Sequence, residues 1–111
     1  MTKEQLRSYQ DIKKEKRHIE QMLRILERRP ESEQENLRPL RELYREKLDA
    51  LVALQVSIEE AIDSLGPVER KLFRYRYIEG LEWHQIEAKM HYSSTSVHRI
   101  HSAALIKLKN K

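Results

Sequence analysis

The chain has two glycines and three prolines in 111 residues, and where they fall limits what it can fold into. Residues 1–65 contain no glycine, so the backbone there has few places to turn sharply. Both glycines lie in the stretch Leu65–Leu108, LGPVERKLFRYRYIEGLEWHQIEAKMHYSSTSVHRIHSAALIKL. Gly66-Pro67 supplies a stop and a restart, because a proline in the first turn of a helix gives up an N–H that has no partner there. Glu79-Gly80 breaks the segment that follows. His91-Tyr92-Ser93 then opens another helix at a serine N-cap, with Tyr92 and Val97 spaced for a hydrophobic staple. Three helices separated by two sharp turns give the layout of a helix-turn-helix, whose second helix enters the major groove of DNA.

The last of these helices divides into faces. Val97, Ile100, Ala104 and Leu108 recur at helical spacing and form the expected core stripe. His101 points toward the same stripe, which suits a packed, hydrogen-bonded histidine. Thr95, Arg99, Ser102 and Ile106 project from the opposite side, flanked by Ser94 and His98. Short polar side chains around one arginine suit base edges, since Arg forks to guanine and Ser or Thr bonds either kind of partner. A merely solvated helix face has the same composition, so the three-helix frame carries the weight.

Leu65, Pro67, Glu69-Arg70, Leu72-Phe73-Arg74-Tyr75-Arg76-Tyr77, Gly80-Leu81, Ile86, Ser93, Val97, Ala104-Leu105 and Leu108 together resemble the C-terminal promoter-reading domain of bacterial sigma factors. The wording RYRYIEGLEW, HYSS and RIHSAAL is similar to phage and prophage transcriptional regulators of the RinA and ArpU type. These join a helical N-terminal region to a sigma region-4-like helix-turn-helix. The resemblance implies that Ser94, Thr95 and Arg99 match base-contacting positions and that Ser93 matches the N-cap. His98 completes the expected base-contacting set. Lys71, Arg74, Lys89, Ser93 and Ser102 are the expected phosphate contacts, which fix register without reading sequence. The chain departs from the pattern at Glu82, in place of a Ser-like cap, and at His91, where a turn glycine is common. It departs again at Glu87, where a small residue usually packs between helices. A carboxylate buried there needs a partner, for which Arg76 is the candidate.

Ahead of this domain, Leu6, Tyr9, Ile12, Ile19, Met22, Leu23 and Leu26 predict one helix from residue 3 to about 29. The polar run PESEQENLR, residues 30–38, reads as a linker. A second long helix is expected from about Leu40 to Ser64, with Pro39 in its first turn. Its apolar stripe is Leu40, Tyr44, Leu48, Leu51, Val52, Gln55, Ile58, Ile62 and Leu65, at near-heptad spacing. Neither helix can bury its stripe alone, so an antiparallel hairpin follows, with an apolar edge left for a second copy. The fold expected is therefore all-α. Residues 1–64 form a long, coiled-coil-like helical hairpin for oligomerisation or partner binding, and residues 65–111 form a three-helix helix-turn-helix domain. Leu72, Ile86, Val97, Ile100 and Leu108 are expected to let that second part fold alone.

Charge is divided unevenly. Residues 65–111 carry nine Lys/Arg against four Asp/Glu, a net of +5, whereas residues 1–64 carry 13 against 14. The basic surplus belongs to the half expected to meet phosphates, and the N-terminal helices are assigned to assembly instead. No cysteine is present, so disulfide and thiolate chemistry are excluded. The N-terminus shows no signal peptide or membrane span, and a cytoplasmic location is expected. His84, His91, His98 and His101 follow no metal-ligand spacing, and Ser93–Ser96 has no strand-to-helix elbow or acid/base pair. No catalytic residue, metal or cofactor is expected. Double-stranded DNA is the expected partner, with a homodimer through the N-terminal helices and RNA polymerase as a further candidate. The reading is a sequence-specific transcriptional regulator of phage or prophage origin. The alternatives are a DNA-packaging component such as a small terminase subunit, or a protein-interaction adaptor that does not bind DNA.

Overall fold

The computed structural model describes residues 1–110, and the fold is all-α. Helix α1 is Lys3–Arg7, α2 Tyr9–Glu27, α3 Glu31–Asp63, α4 Pro67–Phe73, α5 Trp83–Met90 and α6 Ser94–Lys109; a π-helical segment, Arg74–Ile78, continues α4. The chain divides into two compact units. One is Met1–Gln10 with Ser57–Lys111, and the other is Asp11–Val56. This differs from the expected boundary at residue 64: both the N-terminal helix and the end of α3 belong with the C-terminal helices.

Asp11–Val56 is a hairpin of α2 and α3. Its α2 side buries Ile12, Ile19, Leu23 and Leu26. The facing residues of α3 are Leu37, Arg41, Tyr44, Leu48, Leu51 and Gln55, which are half-buried and alternate at spacings of four and three. Leu40 and Val52, expected in this stripe, are exposed on its flanks. The expected linker is helical. Only Arg28–Pro30 separates α2 from α3, and the polar residues after Pro30 support a solvated first turn. Arg29 pairs with Glu33 at 2.7 Å, and Gln34 Nε2 donates to the Leu26 and Arg29 carbonyls at 3.0 and 2.8 Å. Both carbonyls lie at or just past the C-terminal end of α2, where helical N–H partners run out. Pro39 sits inside α3 rather than in its first turn, and Arg41 Nη1 donates to the Gln34 carbonyl close by at 2.9 Å. The expected single N-terminal helix also breaks, at Ser8, whose hydroxyl donates to the Gln5 carbonyl at 2.6 Å and so competes with the helical ladder.

The other unit has its own core, made of Leu6, Tyr9, Ile58, Ile62, Leu65, Leu72, Phe73, Tyr77, Ile86, Val97, His101, Ala104 and Leu108. Leu6, Ile58 and Ile62 come from outside residues 65–111, and Ile100 is only half-buried. At about 1.5–3 kcal/mol for each fully buried aliphatic side chain, those three supply roughly 5–9 kcal/mol. A small domain has about that much net stability in total. Residues 65–111 therefore lack buried side chains that the core of this unit uses.

Local chemistry fixes the turns. Thr2 and Gln5 form a reciprocal capping box at the start of α1. Gly66 caps α4 and Pro67 opens it. The π segment closes with Glu79 N–H on the Arg74 carbonyl at 2.9 Å. Gln10 Nε2 donates to the Tyr77 and Ile78 carbonyls at the segment's C-terminal end, each at 2.8 Å. Gly80 has φ +73, and a Cβ there would lie 3.0 Å from Gln10 Cδ, so glycine is favoured on two counts.

Candidate nucleic-acid interface

Helix α5, the turn His91–Tyr92–Ser93 and helix α6 form a helix-turn-helix, with α4 as the helix behind it. The turn works without glycine. His91 takes the left-handed conformation, φ 58 and ψ 40, and the N–H groups of His91 and Tyr92 both close on the Glu87 carbonyl. Gln85 Oε1 accepts from the Glu82 N–H at 2.9 Å, which fixes the entry to α5 despite the missing serine. Glu87 does not pair with Arg76. It is only half-buried, so its carboxylate keeps contact with solvent, and Arg76 Nη1 donates to the Leu81 carbonyl at 2.9 Å.

Beneath α6 lies a buried polar pair. Tyr77 Oη and His101 Nε2 are 2.6 Å apart, with the Phe73 ring centroid 5.3 Å from that of Tyr77 and 5.2 Å from that of His101. Burial, helped by the charges of Lys3, His98 and Arg76, holds the imidazole neutral, its pKa lowered from 6.5 to about 4. Burial pushes the Tyr77 phenol up to about 12, opposed by Arg76 and Arg7. The pair satisfies both polar groups in the core and pins the buried side of α6.

On the opposite side of α6, Ser94, Thr95, Arg99 and Ser102 are exposed. Thr95, Arg99 and Ser102 have no ion pair or side-chain hydrogen bond to any described residue, so their donors and acceptors are available. Ile106 continues this face and is 62% exposed. His98, at its flank, rests against Trp83 with ring centroids 4.6 Å apart. Trp83 also meets His101 edge-on at 4.9 Å, and the Arg76 guanidinium lies 4.5 Å over its ring. Trp83 therefore bridges the π segment and α6.

The expected phosphate contacts separate. Lys71 and Lys89 are exposed; Lys89 Nζ lies 5.7 Å from the Tyr75 ring centre. Lys71 borders a shallow apolar pocket with Pro67, Val68, Met90 and Tyr92. Ser102 is exposed on the same side of α6 as Thr95 and Arg99. The Ser93 hydroxyl is committed to the cap, accepting from Ser96 N–H at 3.2 Å and donating to Ser96 Oγ at 3.0 Å. Arg74 faces Glu59 and Asp63 of α3 at 3.5 and 3.8 Å, so part of its charge is compensated within the protein. Sequence reasoning missed Lys3 and Arg7, which the fold brings near Arg76 and the Tyr77–His101 pair. Residue spacing gives no signal of that, because α1 joins these helices only through tertiary packing.

Among the described residues no group of three or more His, Asp or Glu is placed to hold a metal, and no helix is long and apolar enough to cross a membrane. Residues 27–110 match the family described as protein of unknown function (DUF722), and the chain belongs to that family. No curated protein and no solved structure matches it.

Proposed function

We propose that this member of a family of unknown function is a sequence-specific, double-stranded DNA-binding regulator of transcription. In this reading it is cytoplasmic and encoded by a phage or prophage. The observation that carries the reading is the face of α6. Ser94, Thr95, Arg99 and Ser102 are exposed opposite a buried stripe, on a helix held by a capped turn against α5. Ser94, Thr95 and Arg99 read base edges, with His98 at the rim. Lys71, Lys89 and Ser102 hold the backbone. The resemblance to sigma region 4 and to RinA- and ArpU-type regulators supports promoter DNA as the target and RNA polymerase as a second partner.

The hairpin supports self-association. Its α3 seam is half-buried, and Leu43 and Leu54 are exposed eleven residues apart on one flank of the helix. A homodimer through these helices presents two reading helices to half-sites about 34–36 Å apart. Val52 and Val56 are exposed on the other flank, and two distinct apolar flanks also suit a ring of copies. That observation favours, as a second reading, a DNA-packaging part such as a small terminase subunit. Selection of bound duplexes from a random pool tests the proposal. Enrichment of one short motif is expected, and a pool that stays random refutes sequence-specific reading. Sedimentation separates the two assemblies, since the regulator is a dimer and the packaging part a multi-copy ring.

A further inference from the structure

Several cations of this protein are compensated by a nearby carboxylate. Arg74 meets Glu59 and Asp63, Lys107 meets Glu69, and Arg29, Arg38 and Arg45 each have a glutamate within 4 Å. Lys3, Arg7 and Arg76 have none among the described residues. Yet all three lie close to one another's ground. Arg7 and Arg76 line a cleft of about 200 Å³ with Gln10, Tyr77 and Gly80. Lys3 and Arg76 are both near enough to His101 to oppose its protonation, and Arg7 and Arg76 both act on Tyr77.

The cleft is built rather than incidental. Gln10 is held by its two bonds to the Tyr77 and Ile78 carbonyls, and Gly80 keeps its wall clear where any Cβ would press on Gln10. Arg76 is oriented by the Leu81 carbonyl and by Trp83, which engage one N–H and one guanidinium face. Its remaining donors are available, and a guanidinium fork fits two phosphate oxygens. Uncompensated like charges beside a low-dielectric core repel one another, and an anion removes that cost. Arg76 of the cleft lies over the Trp83 ring, and Trp83 in turn rests against His98 at the flank of the exposed face of α6.

The geometry points to a phosphate-binding cleft formed by Arg7 and Arg76, with Lys3 adding charge beside it. This rests on the DNA-binding reading only for the source of the phosphate, which that reading makes the DNA backbone alongside α6. It gives the N-terminal helix, assigned from its sequence to assembly alone, a part in DNA contact.

The test uses the full chain and its single tryptophan, Trp83. Inorganic pyrophosphate, titrated at low and constant ionic strength, is expected to change Trp83 emission saturably. Arg7→Gln is expected to weaken that binding about tenfold or more and Arg7→Lys to restore part of it; Arg7 is exposed and unpaired, so its replacement leaves the core intact. No saturable change, or equal binding by Arg7→Gln, overturns the cleft whether or not the protein binds DNA. A second arm identifies the source. If the phosphate is DNA backbone, Arg7→Gln lowers the log–log salt slope of duplex binding by about one and leaves base preference unchanged. An unchanged slope beside intact pyrophosphate binding assigns the cleft to a free phosphorylated ligand and overturns the backbone source. Pyrophosphate binding by a wild type that binds no duplex supports the cleft and refutes the DNA-binding reading instead.

Discussion

Replacing His101 with glutamine isolates the buried pair under α6. The imidazole titrates at 6.5 when exposed and at about 4 in the fold, because burial disfavours its charged form. As pH falls through 6.5 the unfolded chain takes up a proton that the folded chain refuses until about 4. Stability is therefore lost on acidification across that window and is constant on either side of it. Linkage puts the loss at about 2 kcal/mol between about pH 7 and pH 5, and at about 3 kcal/mol once the window is fully crossed. Glutamine does not titrate and keeps an amide able to bond Tyr77 Oη. His101→Gln is expected to cost about 1–2 kcal/mol at neutral pH through lost ring contacts with Phe73 and Trp83. It then loses about 2 kcal/mol less than the wild type on going to about pH 5. Urea unfolding of both proteins, followed by Trp83 emission, measures the difference, and the carboxylates and exposed histidines common to both cancel. Equal pH dependence in the two would refute a neutral, buried His101.

Arg99→Ala is expected to cost about 1–3 kcal/mol on the selected site and to relax preference at one base position, whereas Lys89→Ala weakens all sequences alike; binding to a panel of site variants separates them. A chain beginning near Ser64 lacks Leu6, Ile58 and Ile62 and is expected to show no cooperative unfolding transition by circular dichroism. Gly80→Ala is expected to lower stability by about 1–2 kcal/mol in urea, through its positive φ and the crowding of Gln10. Leu54→Asp, on the exposed flank of α3 that also carries Leu43, is expected to yield monomers in sedimentation at micromolar concentration without altering base preference on half-sites.

Periodicity made much of the C-terminal helices legible, because the buried Val97, Ala104 and Leu108 share one stripe of α6 and His101 falls on it too. Punctuation located the turns at Gly66-Pro67, Glu79-Gly80 and Ser93. The stretch PESEQENLR was illegible as helix because polarity reports solvation, not backbone conformation; its helix is supported by Arg29–Glu33 and by Gln34 on the end of α2. Misplacing that start hid Leu37 from the seam. The π segment was also hidden; the partners it meets, Gln10 and His101, are distant in sequence. Arg74 looked like a phosphate ligand in a basic stretch. Only the approach of α3 shows the two carboxylates that compensate it. The exposed face of α6 was readable as a face, while the cleft of Arg7 and Arg76 needs a helix from the far end of the chain.

The most direct test of the central claim is the affinity of the intact protein for its selected duplex as a function of salt. The account predicts a linear fall of log affinity with log salt, its slope close to 0.9 for each phosphate neutralised, with a few contacts per subunit. An affinity that does not change with salt, or no binding to any duplex at low salt, would contradict it.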